Sequence, residues 1–246
     1  MKLRYGVSVS TIKQLQELPG LPEIDFLEIT PALREHPEFS IPEKWKKRIC
    51  RASGRSEARS LDSLVYAGAT MRQEFFRYWG SVCDKLTETG ISQVTLGIDW
   101  ETISNDLHYA SVMRDMLRCC FGIAQKHDLS LLLEVRIPGG IAGRVMEFVK
   151  FRNSLLLPVK NVIDLHPHEP GALASVGEIF EKLPFDCSNF RVSVDVSGGN
   201  CLTGQLLERI KKCLCRIGPE VPEICFYPGS NADKTAYEQF YAVIGS

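Results

Sequence analysis

The sequence has no Cys-x-x-Cys pair, no Pro/Ser/Gly linker, no low-complexity run and no excess of either charge. It also has no apolar stretch approaching the ~20 residues of a membrane span. Each absence removes a class of function. Without paired thiol spacing, structural zinc has no support, although the 246 residues include 9 cysteines. Cys119 and Cys120 are adjacent, and Cys213 and Cys215 fall inside one helical pattern, which suits a reduced interior better than a disulfide frame. None of the cysteines shows the activating surroundings that a thiolate nucleophile needs. Met1-Lys2-Leu3-Arg4-Tyr5 runs straight into a strand pattern instead of a signal-peptide apolar region. These features lead us to expect a cytoplasmic protein with no membrane partner. Lys and Arg total 29 against 30 Asp and Glu, a net charge of −1, which disfavours nucleic acid as the main partner. The only basic run, Lys44-Trp45-Lys46-Lys47-Arg48 followed by Arg51 and Arg55, reads as a solvated helix face.

What is present is an alternation of short apolar runs with longer helical patterns. The runs Leu3–Val9, Asp25–Ile29, Glu57–Leu61, Gln93–Ile98, Ser130–Val135, Asn161–Leu165, Arg191–Val196 and Glu223–Tyr227 are short and rich in Val, Ile, Leu and Phe. That composition suits parallel strands buried on both faces. The connections between them have the length of βαβ units. Ser104, Thr203 and Asn231 are candidate helix caps, Pro170 suits a first helical turn, and a long helix is expected between Asp62 and Gly90 with Tyr66, Phe75, Phe76 and Trp79 on it. Eight strands alternating with helices over this length predict an α/β fold, a (β/α)8 TIM barrel forming one domain over 1–246. A doubly wound open sheet is the alternative. Its usual Gly-rich first turn is missing, since Ser8-Val9-Ser10-Thr11 stands there.

In such a barrel, chemistry sits where strands end. Those positions hold Glu28, Arg59, Asp62, Asp99, Glu101, Glu134, Arg136, Asp164, His166, His168, Asp195, Ser197 and Tyr227. In Asp164-Leu165-His166-Pro167-His168, an acid and two imidazoles share one face of an extended strand, which suits a metal site or an acid/base pair. Glu134 follows three leucines, so it needs a partner, and Arg136 two residues on is the expected one. Oxygen and imidazole ligands from Glu134, Asp164, His166 and Asp195 would suit Mn²⁺, Mg²⁺ or Zn²⁺, while a salt-bridged rim is the other reading of the same acids. No organic cofactor is expected. Ser197-Gly198-Gly199-Asn200 and Pro228-Gly229-Ser230-Asn231 are glycine loops that could cradle a phosphate.

These strand ends resemble the xylose-isomerase-like barrels, which include sugar isomerases, sugar epimerases and endonuclease IV-type enzymes. Gly6-Val7-Ser8-Val9 is similar to the family's first strand, and Asp25-Phe26-Leu27-Glu28-Ile29 to its second. Leu132-Leu133-Glu134 resembles the strand that carries the first metal-ligand glutamate, and Asp164 with His166 or His168 falls where an aspartate precedes a histidine. The chain departs from the family at Asp195, where a histidine is usual, and at Tyr227, where the last glutamate ligand is usual. The resemblance implies an isomerase or epimerase of a small sugar or sugar acid that removes a proton beside a carbonyl, with a divalent metal as an aid. Glu134, Asp195 and His166 would be the acid/base or ligand groups. Glu28, Arg59, Asp99, Arg136, His168, Gly199, Gly229 and Ser230 would contact substrate. Val194-Asp195 with Gly198-Gly199 and Gly229-Ser230 also resembles the end of ribulose-phosphate epimerase-type barrels, which implies a phosphosugar. A non-catalytic ligand-binding relative is the third reading, and a homodimer stays open as an expectation.

Overall fold

Eight parallel strands hydrogen-bond in chain order and the last returns to the first, so the sheet closes on itself. They are β1 (Arg4–Val9), β2 (Phe26–Ile29), β3 (Ile49–Ser53), β4 (Gln93–Ile98), β5 (Ser130–Arg136), β6 (Lys160–Leu165), β7 (Asn189–Ser193) and β8 (Glu223–Tyr227). The computed structural model describes residues 4–17, 24–45, 49–53, 61–98, 106–136, 145–168, 171–173, 189–194, 203–216, 223–229 and 232–244. Closure excludes the open doubly wound sheet and gives the expected (β/α)8 arrangement. The described helices are α1 (Ile12–Glu17), α2 (Pro31–Arg34), α3 (Ala69–Glu88), α4 (Leu107–Lys126), α5 (Val145–Leu155), α6 (Gly204–Arg216) and α7 (Lys234–Ile244). No helix among the described residues is long and apolar enough to cross a membrane.

Alternation along the strands splits the interior in two. Residues such as Val7, Leu27, Leu96, Leu133, Ile163 and Val192 point outward and pack beneath the helices. Trp79 is fully buried and its indole N–H donates to the Cys120 carbonyl at 3.0 Å, which ties α3 to α4. Phe240 of α7 stacks on Phe226 of β8 at 4.1 Å, and the phenols of Tyr237 and Tyr241 donate to the Ser8 and Gly6 carbonyls. Each such large apolar side chain, fully buried, is worth about 1.5–3 kcal/mol. The free cysteines Cys83, Cys120, Cys213 and Cys225 are buried as expected, while Cys119 is exposed.

The lumen has a different composition. Its floor holds Arg51, whose Nη2 lies 2.6 Å from Glu223, and Glu223 also takes Arg4 at 2.8 Å. Phe26 lies under both guanidiniums, with Cζ of Arg51 4.9 Å and Cζ of Arg4 5.7 Å from the ring centroid. Gly6 stands opposite, because a Cβ there would fall 2.1 Å from the tip of the Phe26 ring.

Three expectations are corrected. The third strand is Ile49–Ser53, not Glu57–Leu61, and 61–64 is a helical turn. Ile49–Ser53 is the more apolar of the two segments, but it follows directly on the basic run 44–48, which hid it. Arg51 is therefore buried in the lumen and is no part of a solvated helix face, and Trp45 of the same run is also buried. α4 is capped by Asp106, whose carboxylate accepts the His108 and Tyr109 N–H groups, and not by Ser104. Thr203 does cap α6, its hydroxyl accepting from Leu206 N–H at 3.2 Å, whereas Asp233 takes the N–H of Thr235 at the start of α7. The Pro170 and Asn231 positions lie outside the described residues.

Candidate active site

Above the floor, one side chain organises the lumen. Arg191 projects inward from the middle of β7 and is 1% exposed. Its Nε and Nη2 grip the two oxygens of Glu28 on β2, at 2.8 and 2.6 Å. Its Nη1 lies 2.5 Å from Oε1 of Glu134 on β5 and 3.8 Å from Oδ2 of Asp164 on β6. Burial by itself disfavours this charge. The carboxylates of Glu134, Glu28 and Asp164 outweigh it together and hold the guanidinium charged, well above its ordinary range.

The remaining carboxylate oxygens also face donors. Thr95 on β4 donates to Oε2 of Glu134 at 3.1 Å, and the Ser193 hydroxyl donates to Oδ1 of Asp164 at 2.5 Å. Nε2 of His166 lies 3.2 Å from Oδ2 of Asp164. An ionised aspartate only accepts, so in this contact Nε2 of His166 is the donor. His166 follows the last residue of β6 and its side chain is 27% exposed, against 3% for Asp164. The Asp164–His166 pair therefore lies at the C-terminal end of the strands, with a buried acid beneath a partly open imidazole.

Glu28, Glu134, Asp164 and His166 are thus brought together, as their positions at the strand ends suggest. His168 is not: β6 ends at Leu165, a turn follows at 167–168, and His168 is exposed. Gly229 is buried, with φ +91°. Its carbonyl accepts from the Gln14 amide at 3.1 Å, which also holds the Ala232 carbonyl at 3.0 Å, so this loop is stapled to α1. Arg59, Asp99, Asp195, Gly199 and Ser230 lie outside the described residues, as does the Arg136 side chain. Arg191 was missed as a site residue. The signal was available: Glu28, Glu134 and Asp164 all face the lumen at alternating positions, and buried acids need a cation.

A divalent ion bridging Glu28, Glu134 and Asp164 does not fit this arrangement. Both oxygens of each acid already face a donor, and their shared centre holds a guanidinium. No group of three or more His, Cys, Asp or Glu side chains suited to a metal occurs among the described residues.

No family model matches this sequence, and no curated protein matches it. Solved structures do share its fold. The D-psicose 3-epimerase of Clostridium cellulolyticum H10, determined with D-tagatose, is 13% identical, with 98% of this chain and 99% of that one aligned at TM-score 0.62. A xylose isomerase domain protein from Planctomyces limnophilus is 12% identical over 99% and 98% at TM-score 0.61. The IOLI protein, determined with a bound zinc atom, is 13% identical over 99% and 98% at TM-score 0.61. The expected likeness to xylose-isomerase-like barrels therefore holds at the level of the fold.

Proposed function

We propose that the chain is an isomerase or epimerase of a small sugar or sugar acid that moves a proton beside a carbonyl. The observation that carries this reading is Asp164 holding His166 at the C-terminal end of the barrel strands. Asp164 fixes the imidazole tautomer, with its proton on Nε2. Nδ1 is then the atom that takes a proton from the carbon next to a carbonyl and returns it from the same face to the neighbouring carbon, whereas epimerisation calls for a second acid on the opposite face. Asp164 in turn stabilises the imidazolium formed between the two transfers, as a buried orienting carboxylate does in acyl-transfer triads. Ser193 holds the other oxygen of Asp164, Arg191 stands 3.8 Å from the oxygen that faces His166, and Glu134 completes the clamp on Arg191. The shared fold with a D-psicose 3-epimerase supports the substrate class, though a fold alone does not specify chemistry.

The test is proton exchange. The protein is incubated in deuterated buffer with a panel of ketoses, inososes, keto sugar acids and their phosphate esters, and deuterium on carbon is followed by NMR. Exchange with one class is expected, slowed about 10²–10⁴-fold by His166→Gln and by Asp164→Asn. Absence of exchange across the panel, or exchange that His166→Gln leaves unchanged, would overturn the reading. Preference for the esters would move the substrate to a phosphosugar.

A further inference from the structure

We propose that Arg191 is the resident cation of this barrel: its guanidinium holds the place among Glu28, Glu134 and Asp164 that would otherwise suit a divalent ion. This does not rest on any sugar being turned over. It rests on the contacts of a single side chain with acids from three different strands, β2, β5 and β6. A surface arginine paired with one acid would be ordinary. Here the guanidinium is fully enclosed, its fork takes Glu28 bidentately, and its remaining nitrogen faces two further carboxylates.

The consequence for Asp164 is positional. A carboxylate bound to a divalent ion turns an oxygen to the metal at about 2.0–2.6 Å. Asp164 instead keeps one oxygen for Ser193 and the other for His166, while Arg191 stands at 3.8 Å and supplies charge without taking either oxygen. Arg191 is thus a positioning residue, and it fixes which partners Asp164 can serve. The same reasoning explains why Glu28, Glu134 and Asp164 need no divalent ion to coexist. Like-charged side chains this close would repel if nothing positive lay between them, and the chain carries that charge itself.

The inference makes a specific demand: removing the guanidinium should create metal affinity that the native protein lacks. The probe is Mn²⁺ alone, followed by loss of the free-ion EPR signal and by thermal unfolding with and without the ion. Wild-type protein should leave the Mn²⁺ signal and its own midpoint unchanged. Arg191→Met should take up Mn²⁺ with a midpoint raised by the ion, and Arg191→Met with Glu134→Gln should lose that uptake. Arg191→Lys, which keeps the charge, should behave as wild type. Should Arg191→Met not fold, Arg191→Gln carries the same expectation, since it also removes the charge while leaving a donor towards Glu28. Stoichiometric Mn²⁺ on the wild type, abolished by Glu134→Gln, would overturn the proposal. So would a folded Arg191→Met or Arg191→Gln with no more Mn²⁺ uptake than wild type. Neither result depends on turnover, so the outcome is independent of the proton-exchange test.

Discussion

Replacing Gly6 by alanine adds one carbon, and the structure says where it would go. That carbon would sit 2.1, 2.2 and 2.5 Å from Cζ, Cε2 and Cε1 of Phe26, where real Cβ atoms essentially never approach within 3.0 Å. The ring would have to back away by about an ångström or more, and guanidiniums from Arg51 and Arg4 already lie beside it. Gly6 does not have a left-handed φ, so the backbone itself would accept alanine and the penalty is one of volume. Overpacking of this kind costs ~1–3 kcal/mol, partly offset by about 0.4–1 kcal/mol from the stiffer unfolded chain. At about 2–4 °C per kcal/mol for a chain of this size, the midpoint should fall by roughly 1–10 °C. The assay is a double-mutant cycle with Phe26→Leu, which removes the ring atoms that the new methyl would meet, read by urea unfolding. Gly6→Ala should be destabilising alone and close to neutral in the Phe26→Leu background. An equal cost in both backgrounds, or no cost in the first, would refute the steric argument.

Two other predictions concern titration and reactivity. Tyr66 donates to Asp106, and that hydrogen bond, helped by the Tyr109 N–H, holds the Asp106 carboxyl below its usual range while it raises the Tyr66 phenol. The depressed carboxylate stabilises the fold above its unfolded value of 3.8 and loses that effect as pH falls through the lower folded value. The raised phenol does so below its unfolded value of 10.0 and loses the effect as pH rises through the higher folded one. The gap between the thermal midpoints of wild type and Asp106→Ala should therefore be widest between these limits and narrow beyond each of them, to the residual worth of a neutral cap in acid; a gap that does not change with pH would refute the assignment. In thiol labelling of the native protein read residue by residue, Cys119 should react before the described buried cysteines. Cys83, Cys120 and Cys225 should stay protected until unfolding, because they are buried and burial drives the thiols of Cys120 and Cys225 up. Fast labelling of Cys225 would mean that the lumen is open to solvent.

The sequence made the barrel legible because outward-facing strand residues alternate reliably: Val7 and Val9, Leu27 and Ile29, Leu131 and Leu133 all meet the helices. It was least informative where polar residues turn inward. Arg51 sits in a basic run and reads as solvated, yet Glu223, more than 170 residues later, gives it a buried partner. Arg191 opens an expected strand and carries no local mark of its role, since its partners Glu28 and Glu134 lie on other strands. The pairing of Glu134 with Arg136 expected from nearness along the chain lies outside the described residues, whereas the pairing with Arg191 is non-local. Lumen pairing follows closure of the sheet, so local spacing cannot reveal it. Asp164 and His166 were readable together because their proximity is local, and the pair survived the turn that removed His168.

The bridge from Glu223 on the last strand to Arg4 on the first has a bearing on synthesis. Its partners are 219 positions apart. A ribosome adding about 5–20 residues per second delivers Glu223 more than ten seconds after Arg4. Throughout that interval β1 has no β8 to pair with, and the floor arginines have no Glu223. The nascent chain must therefore carry a polar, unclosed groove with two bare strand edges, those of β1 and β7, until translation reaches β8. Truncations that stop short of Glu223 should be the species that chaperones hold.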